Sequence, residues 1–149
     1  MDKKQPIHQR LGKLLKYQNL GVLATQNSGQ PYASLVAFYV TDDLRNVFFV
    51  TPKTTRKFAN LKANPMVALL VNSSTNQTDD FHRAISATIV GTAKEVSGSE
   101  KQPVLTRYLK KHPHLEDFAH SPSCALFKVS VKSCFMVENF QNVMELHLK

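Results

Sequence analysis

Along residues 7–17 (IHQRLGKLLKY), Ile7, Leu11, Leu14 and Leu15 share one helical face, with His8, Arg10, Lys13 and Lys16 on the other. Gly12 weakens this helix slightly. The period then shortens to that of strands. Residues 20–25 (LGVLAT), 32–41 (YASLVAFYVT) and 47–51 (VFFVT) are joined by turn-like stretches, NSGQ and the Asp42-Asp43 region. They predict a three-stranded meander with short loops. Residues 50–65 (VTPKTTRKFANLKANP) end the third strand, turn, and enter a helix capped by Thr54 or Thr55. Phe58 and Leu61 lie at helical spacing, and Asn64-Pro65 stops the helix. MVALLV, residues 66–71, is continuous and apolar, as in a buried strand.

The polar run NSSTNQTDD, residues 72–80, predicts a flexible loop. Residues 84–96 return to strand character, with Ile85, Ala87 and Ile89 opposite Ser86 and Thr88. Residues 100–111 predict a helix, Pro103 being tolerated near its start. HPHLEDFAHSP reads as a short helix or loop. Residues 125–131 alternate again, residues 135–138 continue that section, and residues 143–148 set Met144, Leu146 and Leu148 against Glu145 and His147. Six or seven strands, mostly hairpin-connected and with few helices, predict a mainly β fold: a closed or nearly closed antiparallel barrel with helices outside it. With no repeat and no long linker, residues 1–149 form one domain. Its helix spans about 5–18, its barrel about 20–148, and a helical insertion about 98–120.

Composition narrows the function classes. Hydrophobic residues make up 42% and charged residues 20%, as in a globular chain. No apolar run approaches membrane-spanning length, and MDKKQPIHQR has no signal-type apolar stretch, so a soluble cytoplasmic protein is expected. The net charge of +8 attracts anions such as nucleic acid, phosphorylated cofactors or acidic lipid, without choosing among them. Lys110-Lys111 after Tyr108 reads as a solvated helix face rather than a nucleic-acid patch. Cys124 and Cys134 lack CxxC spacing and read as reduced core thiols. His112, His114 and His120 read as exposed loop residues without zinc-site spacing; they are the first candidates should haem bind. Asp42-Asp43 and Asp79-Asp80 read as solvated turn residues rather than paired acids. No nucleophile elbow, phosphate loop or dinucleotide fingerprint is present.

One feature of residues 50–65 runs against simple electrostatics. Lys53, Arg56 and Lys57 crowd a helix start, which already carries partial positive charge. An anion there would reverse the balance. The free backbone N–H groups, the Arg56 fork, the Lys57 ammonium and the hydroxyls of Thr51 and Thr55 make a phosphate cradle without a glycine-rich loop.

The order strand, T-x-x-x-[ST]-[RK]-K, helix, N-P, apolar strand, preceded by GQPYASLVAFYV and VFFVT, resembles the FMN-binding split barrels related to pyridoxamine 5′-phosphate oxidase. The resemblance is clear over residues 20–71 and extends beyond in strand order. It implies a six- to seven-stranded antiparallel split β-barrel that dimerises, with FMN in a groove between protomers. Thr51, Thr55, Arg56 and Lys57 would hold the phosphate. The strand at Ser34, Leu35, Val36 and Ala37 would line the flavin ring with its backbone, with Val50 beside it. The partner subunit would close the site through the Phe140 region (VENFQNV). The chain departs from the oxidase itself. Leu35 and Val40 stand where the oxidase carries an Arg and a Lys, and the end MELHLK lacks its Arg-x-His motif. The resemblance therefore implies a flavin-dependent oxidoreductase of another substrate, or a non-catalytic scaffold for haem or another anionic ligand, rather than pyridoxamine phosphate oxidation.

Overall fold

The computed structural model describes residues 6–148. The ends of the expected domain, including the MDKKQ segment in which no signal-type stretch was read, lie outside the described residues. The elements run α1 (Ile7–Tyr17), β1 (Leu20–Asn27), β2 (Gln30–Val40), β3 (Asn46–Pro52), α2 (Arg56–Ala63), β4 (Met66–Asn72), α3 (Asp80–Arg83), β5 (Ile85–Glu95), α4 (Lys101–Lys111), α5 (Glu116–His120), β6 (Cys124–Glu138) and β7 (Asn142–His147). The strand order is β3-β2-β1-β4-β5-β6-β7, and β3 also pairs with β6. Six antiparallel strands therefore close a barrel, with β7 added at the edge of β6, as the sequence pattern predicts. Among the described residues, no helix is long and apolar enough to cross a membrane.

Local chemistry sets these boundaries. Ser28 and Gly29 take φ of 53° and 81°, the two-residue turn whose twist suits a tight hairpin, and they join β1 to β2 in the register Asn27↔Gln30. The two strand sections expected around residues 125–138 are one strand. Opposite β5, Val131 pairs with Gly91 and Ser133 with Val90, which leaves Lys132 as an extra bulged residue. The bulge changes which alternate residues face inward: Phe127 and Val129 before it, Cys134 and Met136 after it. Gly91 is required there, because a Cβ would lie 2.2 Å from the Ser130 carbonyl oxygen.

Two apolar clusters result. One fills the barrel with Leu23, Val36, Phe38, Phe49, Ile89 and Phe127 and is covered by Leu11, Leu14 and Leu15 of α1. The other lies outside the barrel wall, where Phe48, Val50 and Leu126 pack against Val104, Leu105 and Tyr108 of α4. Both cysteines are free and buried. Burial pushes the Cys134 thiol up to about 11.

Three expectations change. His112 is not an exposed loop residue: it is 2% exposed, its Nε2 lies 2.8 Å from the Phe38 carbonyl oxygen, and its ring packs on Tyr108. His114 and His120 are exposed. Lys111 does not sit on a solvated face; its ammonium donates to Leu15 O at 2.9 Å and lies 4.2 Å from the centre of the Phe38 ring. Tyr108 is fully buried, so it offers no platform for a base. The polar run after β4 is an organised segment. The Asp80 carboxylate accepts from the backbone N–H groups of Thr75, Asn76 and Gln77 and from Thr75 Oγ1. Asp43 is a turn residue as read, accepting from Thr41 Oγ1 and from Arg45 N.

Candidate functional site at the start of α2

Thr55 is the N-cap of α2, and its hydroxyl oxygen accepts from Phe58 N at 3.2 Å. The same hydroxyl donates to Pro52 O at 2.9 Å, and Thr51 Oγ1 lies 3.1 Å from it. The two threonines thus build the turn that aims the helix. Their hydroxyls are engaged with the protein, and Thr51 is fully buried. The helix is fixed to the barrel from its other side by a buried bond from Asn60 Nδ2 to Thr25 Oγ1 of 3.0 Å. The first-turn N–H groups of Arg56 and Lys57 have no internal helix partner, as at any helix start.

Lys57 is the anomaly. The residue is only 8% exposed, and no acceptor among the described residues lies within hydrogen-bond reach of its ammonium. Burial lowers its pKa. Among the described residues Ser34 Oγ is the only enclosed side-chain N or O atom without a partner, so the Lys57 stem is covered while its ammonium reaches solvent, beside a helix end whose dipole opposes it. Arg56 is exposed and leans over the Tyr32 ring of β2, 6.0 Å from its centre. Lys53 is exposed and its N–H is bonded to Ser123 O.

The wall beside this helix start is an open strand edge. β2 pairs with β1 from Gln30 to Ala37, but with β3 only at Phe38, Tyr39 and Val40. Phe38 N points to Asn19 O on the β1 side, while the Ala37 carbonyl accepts from Tyr108 on the other. Antiparallel alternation therefore turns the backbone groups of Ala33 and Leu35 to the unpaired edge. The Leu35 side chain is 62% exposed.

The residues expected to form one site divide accordingly. Thr51, Thr55, Arg56 and Lys57 meet at the start of α2, and Leu35 and Ala37 belong to the adjoining strand face. Val36 points into the barrel core, 4% exposed. Ser34 shares that inward parity, and its buried Oγ has no hydrogen-bond partner. The Val50 side chain is packed in the cluster under α4 and closed to a ligand. Phe140 lies on the β6–β7 turn and packs against Phe81 of the same chain, ring centres 5.6 Å apart. Sequence reasoning missed a second polar relay, from Ser133 Oγ to His147 Nδ1 (2.7 Å) and from His147 Nε2 to Glu145 Oε1 (2.9 Å). The Glu145-x-His147 alternation on β7 was its visible half; the serine arrives only by strand pairing. Ser133 is 6% exposed, so the relay fastens β7 to β6 rather than presenting a nucleophile. Among the described residues no group of His, Cys, Asp and Glu could hold a metal ion.

Over residues 7–138 this split barrel matches in sequence the family described as pyridoxamine 5′-phosphate oxidase. The chain belongs to this family. No curated protein matches it. Among solved structures, a heme-binding protein from Mycobacterium smegmatis superposes with a TM-score of 0.83 at 16% identity, covering 97% of this chain and 59% of that one. ChuZ from Campylobacter jejuni gives 0.81 at 15% identity, covering 97% and 61%. A FAD-binding protein from Mesorhizobium loti gives 0.71 at 17% identity, covering 86% and 90%. At such identities the likeness is one of fold. The chain spans about three fifths of the length of the first two.

Proposed function

We propose that this protein binds flavin mononucleotide, with the phosphate at the start of α2, and acts as a flavin-dependent oxidoreductase. The observation that carries this reading is Lys57: a lysine 8% exposed, with no protein acceptor for its ammonium, next to the free first-turn N–H groups of its helix. A phosphate dianion supplies the missing acceptor and suits the helix dipole. Arg56 adds a second cation from the solvent side. Thr51 and Thr55 act by shaping the turn, since their hydroxyls are already engaged. The backbone groups of Ala33 and Leu35 offer donors and acceptors for the edge of a planar ring system, and the exposed Leu35 side chain offers an apolar contact. Flavin supplies reversible two-electron transfer, so no protein nucleophile is required. The protein's part is to hold the phosphate, orient the ring and exclude water.

The same reading includes a homodimer with the site at its interface. Leu20, Leu35, Met66 and Leu70 are 53%, 62%, 61% and 39% exposed on the outer faces of β1, β2 and β4. Val22 pairs with both Leu35 and Leu70, which makes a continuous apolar row suited to a second copy. Sedimentation velocity should give a dimer, and Leu35→Glu should shift it to monomer. Titration with FMN, followed by flavin fluorescence and the visible spectrum, tests the cofactor. Saturable binding at micromolar concentration or below is expected. A Soret band on adding haem, with no response to FMN, would replace flavin with haem on this scaffold.

A further inference from the structure

The two longest helices end together on the outside of the barrel. Lys111, in the last turn of α4, donates to Leu15 O in the last turn of α1 at 2.9 Å, so the two C-terminal turns lie side by side. Each helix turns its apolar stripe inward: Leu11, Leu14 and Leu15 onto the barrel core, and Val104, Leu105 and Tyr108 onto the barrel wall. The opposite faces carry charge of one sign. Neither α1 (IHQRLGKLLKY) nor α4 (KQPVLTRYLKK) contains an Asp or a Glu. Lys13 and Lys16 are exposed on α1, and Arg107 and Lys110 on α4. Arg107 stands one turn before Lys111 and therefore on the flank that faces α1. Tyr17, one turn after Lys13 on the same face, is 72% exposed, more than any other Phe or Tyr among the described residues.

Two comparisons set this surface apart from an ordinary solvated face. Arg10, Lys62 and Lys128 each meet a carboxylate, of Glu138, Glu95 and Glu100 in turn. None of Lys13, Lys16, Arg107 and Lys110 has an acidic partner among the described residues. The helix dipole explains cations in a last turn, which covers Lys16 and Lys110. It does not explain Lys13 or Arg107, which lie earlier, nor an aromatic ring left in water beside them.

The arrangement selects the partner. Four cations without acidic partners suit a chain of phosphates rather than a single one. An exposed ring beside them suits an unpaired base, which can stack on it. A lipid surface is disfavoured, because the apolar faces of both helices are packed on the protein and leave little to insert. We infer that the joined ends of α1 and α4 form a docking surface for a single-stranded nucleic acid, with Lys13, Lys16, Arg107 and Lys110 on its phosphates and Tyr17 stacked on a base. The residues are other than those at the start of α2, and the inference does not depend on the flavin reading.

Fluorescence anisotropy of a labelled oligothymidylate, titrated with the full chain at low salt, tests it. Saturable binding at micromolar concentration is expected, tighter than for a duplex of the same length. The logarithm of the affinity should fall against that of the salt concentration with a slope of about −3, since each single-strand phosphate contact contributes roughly 0.7. Lys13→Gln, Lys16→Gln and Lys110→Gln together should reduce the slope to about −1. Tyr17→Ala should weaken binding by about fivefold or more and leave the slope unchanged. These positions are exposed, so circular dichroism should show the same fold, and FMN affinity should not change. Arg56→Ala combined with Lys57→Ala should leave strand binding as it is. No saturable binding, a duplex bound as tightly as the strand, or unchanged affinity in Tyr17→Ala would overturn the inference. So would a loss confined to the Arg56 and Lys57 variant, or binding to phosphatidylserine vesicles but not to the strand.

Discussion

Lys57 and Lys111 are two lysines withdrawn from solvent in the same small barrel, and they differ in what meets the ammonium. Lys111 ends α4, where a cation suits the helix dipole. Its charge reaches the exposed end carbonyls of α1 at Leu15 O and lies over the Phe38 ring. Lys57 begins α2, where the dipole opposes it, and it meets no acceptor. One lysine is accounted for by the protein alone: it fastens α4 to α1. The other has no protein acceptor, and on the proposed reading a bound phosphate supplies one. Burial by itself therefore does not separate a structural cation from a ligand-binding one, whereas the helix end and the presence of an acceptor do.

The largest expected effect breaks the ligand side of this contrast. Arg56→Ala combined with Lys57→Ala should weaken FMN binding by about 10²–10³-fold, the loss of two charge-assisted contacts. Circular dichroism and thermal melting should show an intact barrel. Next, Lys111→Met should leave FMN affinity unchanged, because this ammonium engages Leu15 O and the Phe38 ring and not the start of α2. A smaller effect concerns pH. Burial lowers the Lys111 ammonium to about 8 in the folded state, whereas it titrates near 10.5 when unfolded. The unfolded chain then binds more protons between those values, so stability should rise as pH rises from 8 toward 10. Lys111→Met should flatten that rise. At the acid end burial also lowers His112, opposed by its bond to Phe38 O. Its contribution is complete above the unfolded value of 6.5 and should be lost as pH falls below it, a loss that His112→Gln should reduce.

The strands and helices were legible because most of their ends carry their own chemistry: Asn27 to Gln30 for the first hairpin, Thr55 for the cap of α2, and Asn64-Pro65 for its end. The cation cluster was legible as a contradiction, three positive groups at a positive helix end. The roles within it were not. Thr55 looked like a phosphate donor, yet the cap geometry commits its hydroxyl to Pro52 O and Phe58 N. Val50 looked like a ring contact, yet α4 returns some fifty positions later in the chain to cover it. Lys111 read as solvated because a helix-face argument does not anticipate a neighbouring α1, and His112 read as a loop residue because its partner, Phe38 O, lies 74 positions away in the chain. Lys132 is the extra residue of a bulge, and bulges break the two-residue period on which strand reading relies. The Phe81–Phe140 pair lies 59 positions apart and is joined only by strand pairing.

The most direct test of the central claim is a thermal melt of the wild type and of Lys57→Met, each with and without FMN. Binding to the folded state raises the melting temperature with ligand concentration. The account predicts a clear FMN-dependent rise in the wild type, most of it lost in Lys57→Met, while the ligand-free variant melts at or above the wild-type temperature because a cation opposed by the helix dipole has gone. A ligand-free variant that melts lower, with its FMN-dependent rise intact, would contradict the account and make Lys57 a structural cation like Lys111.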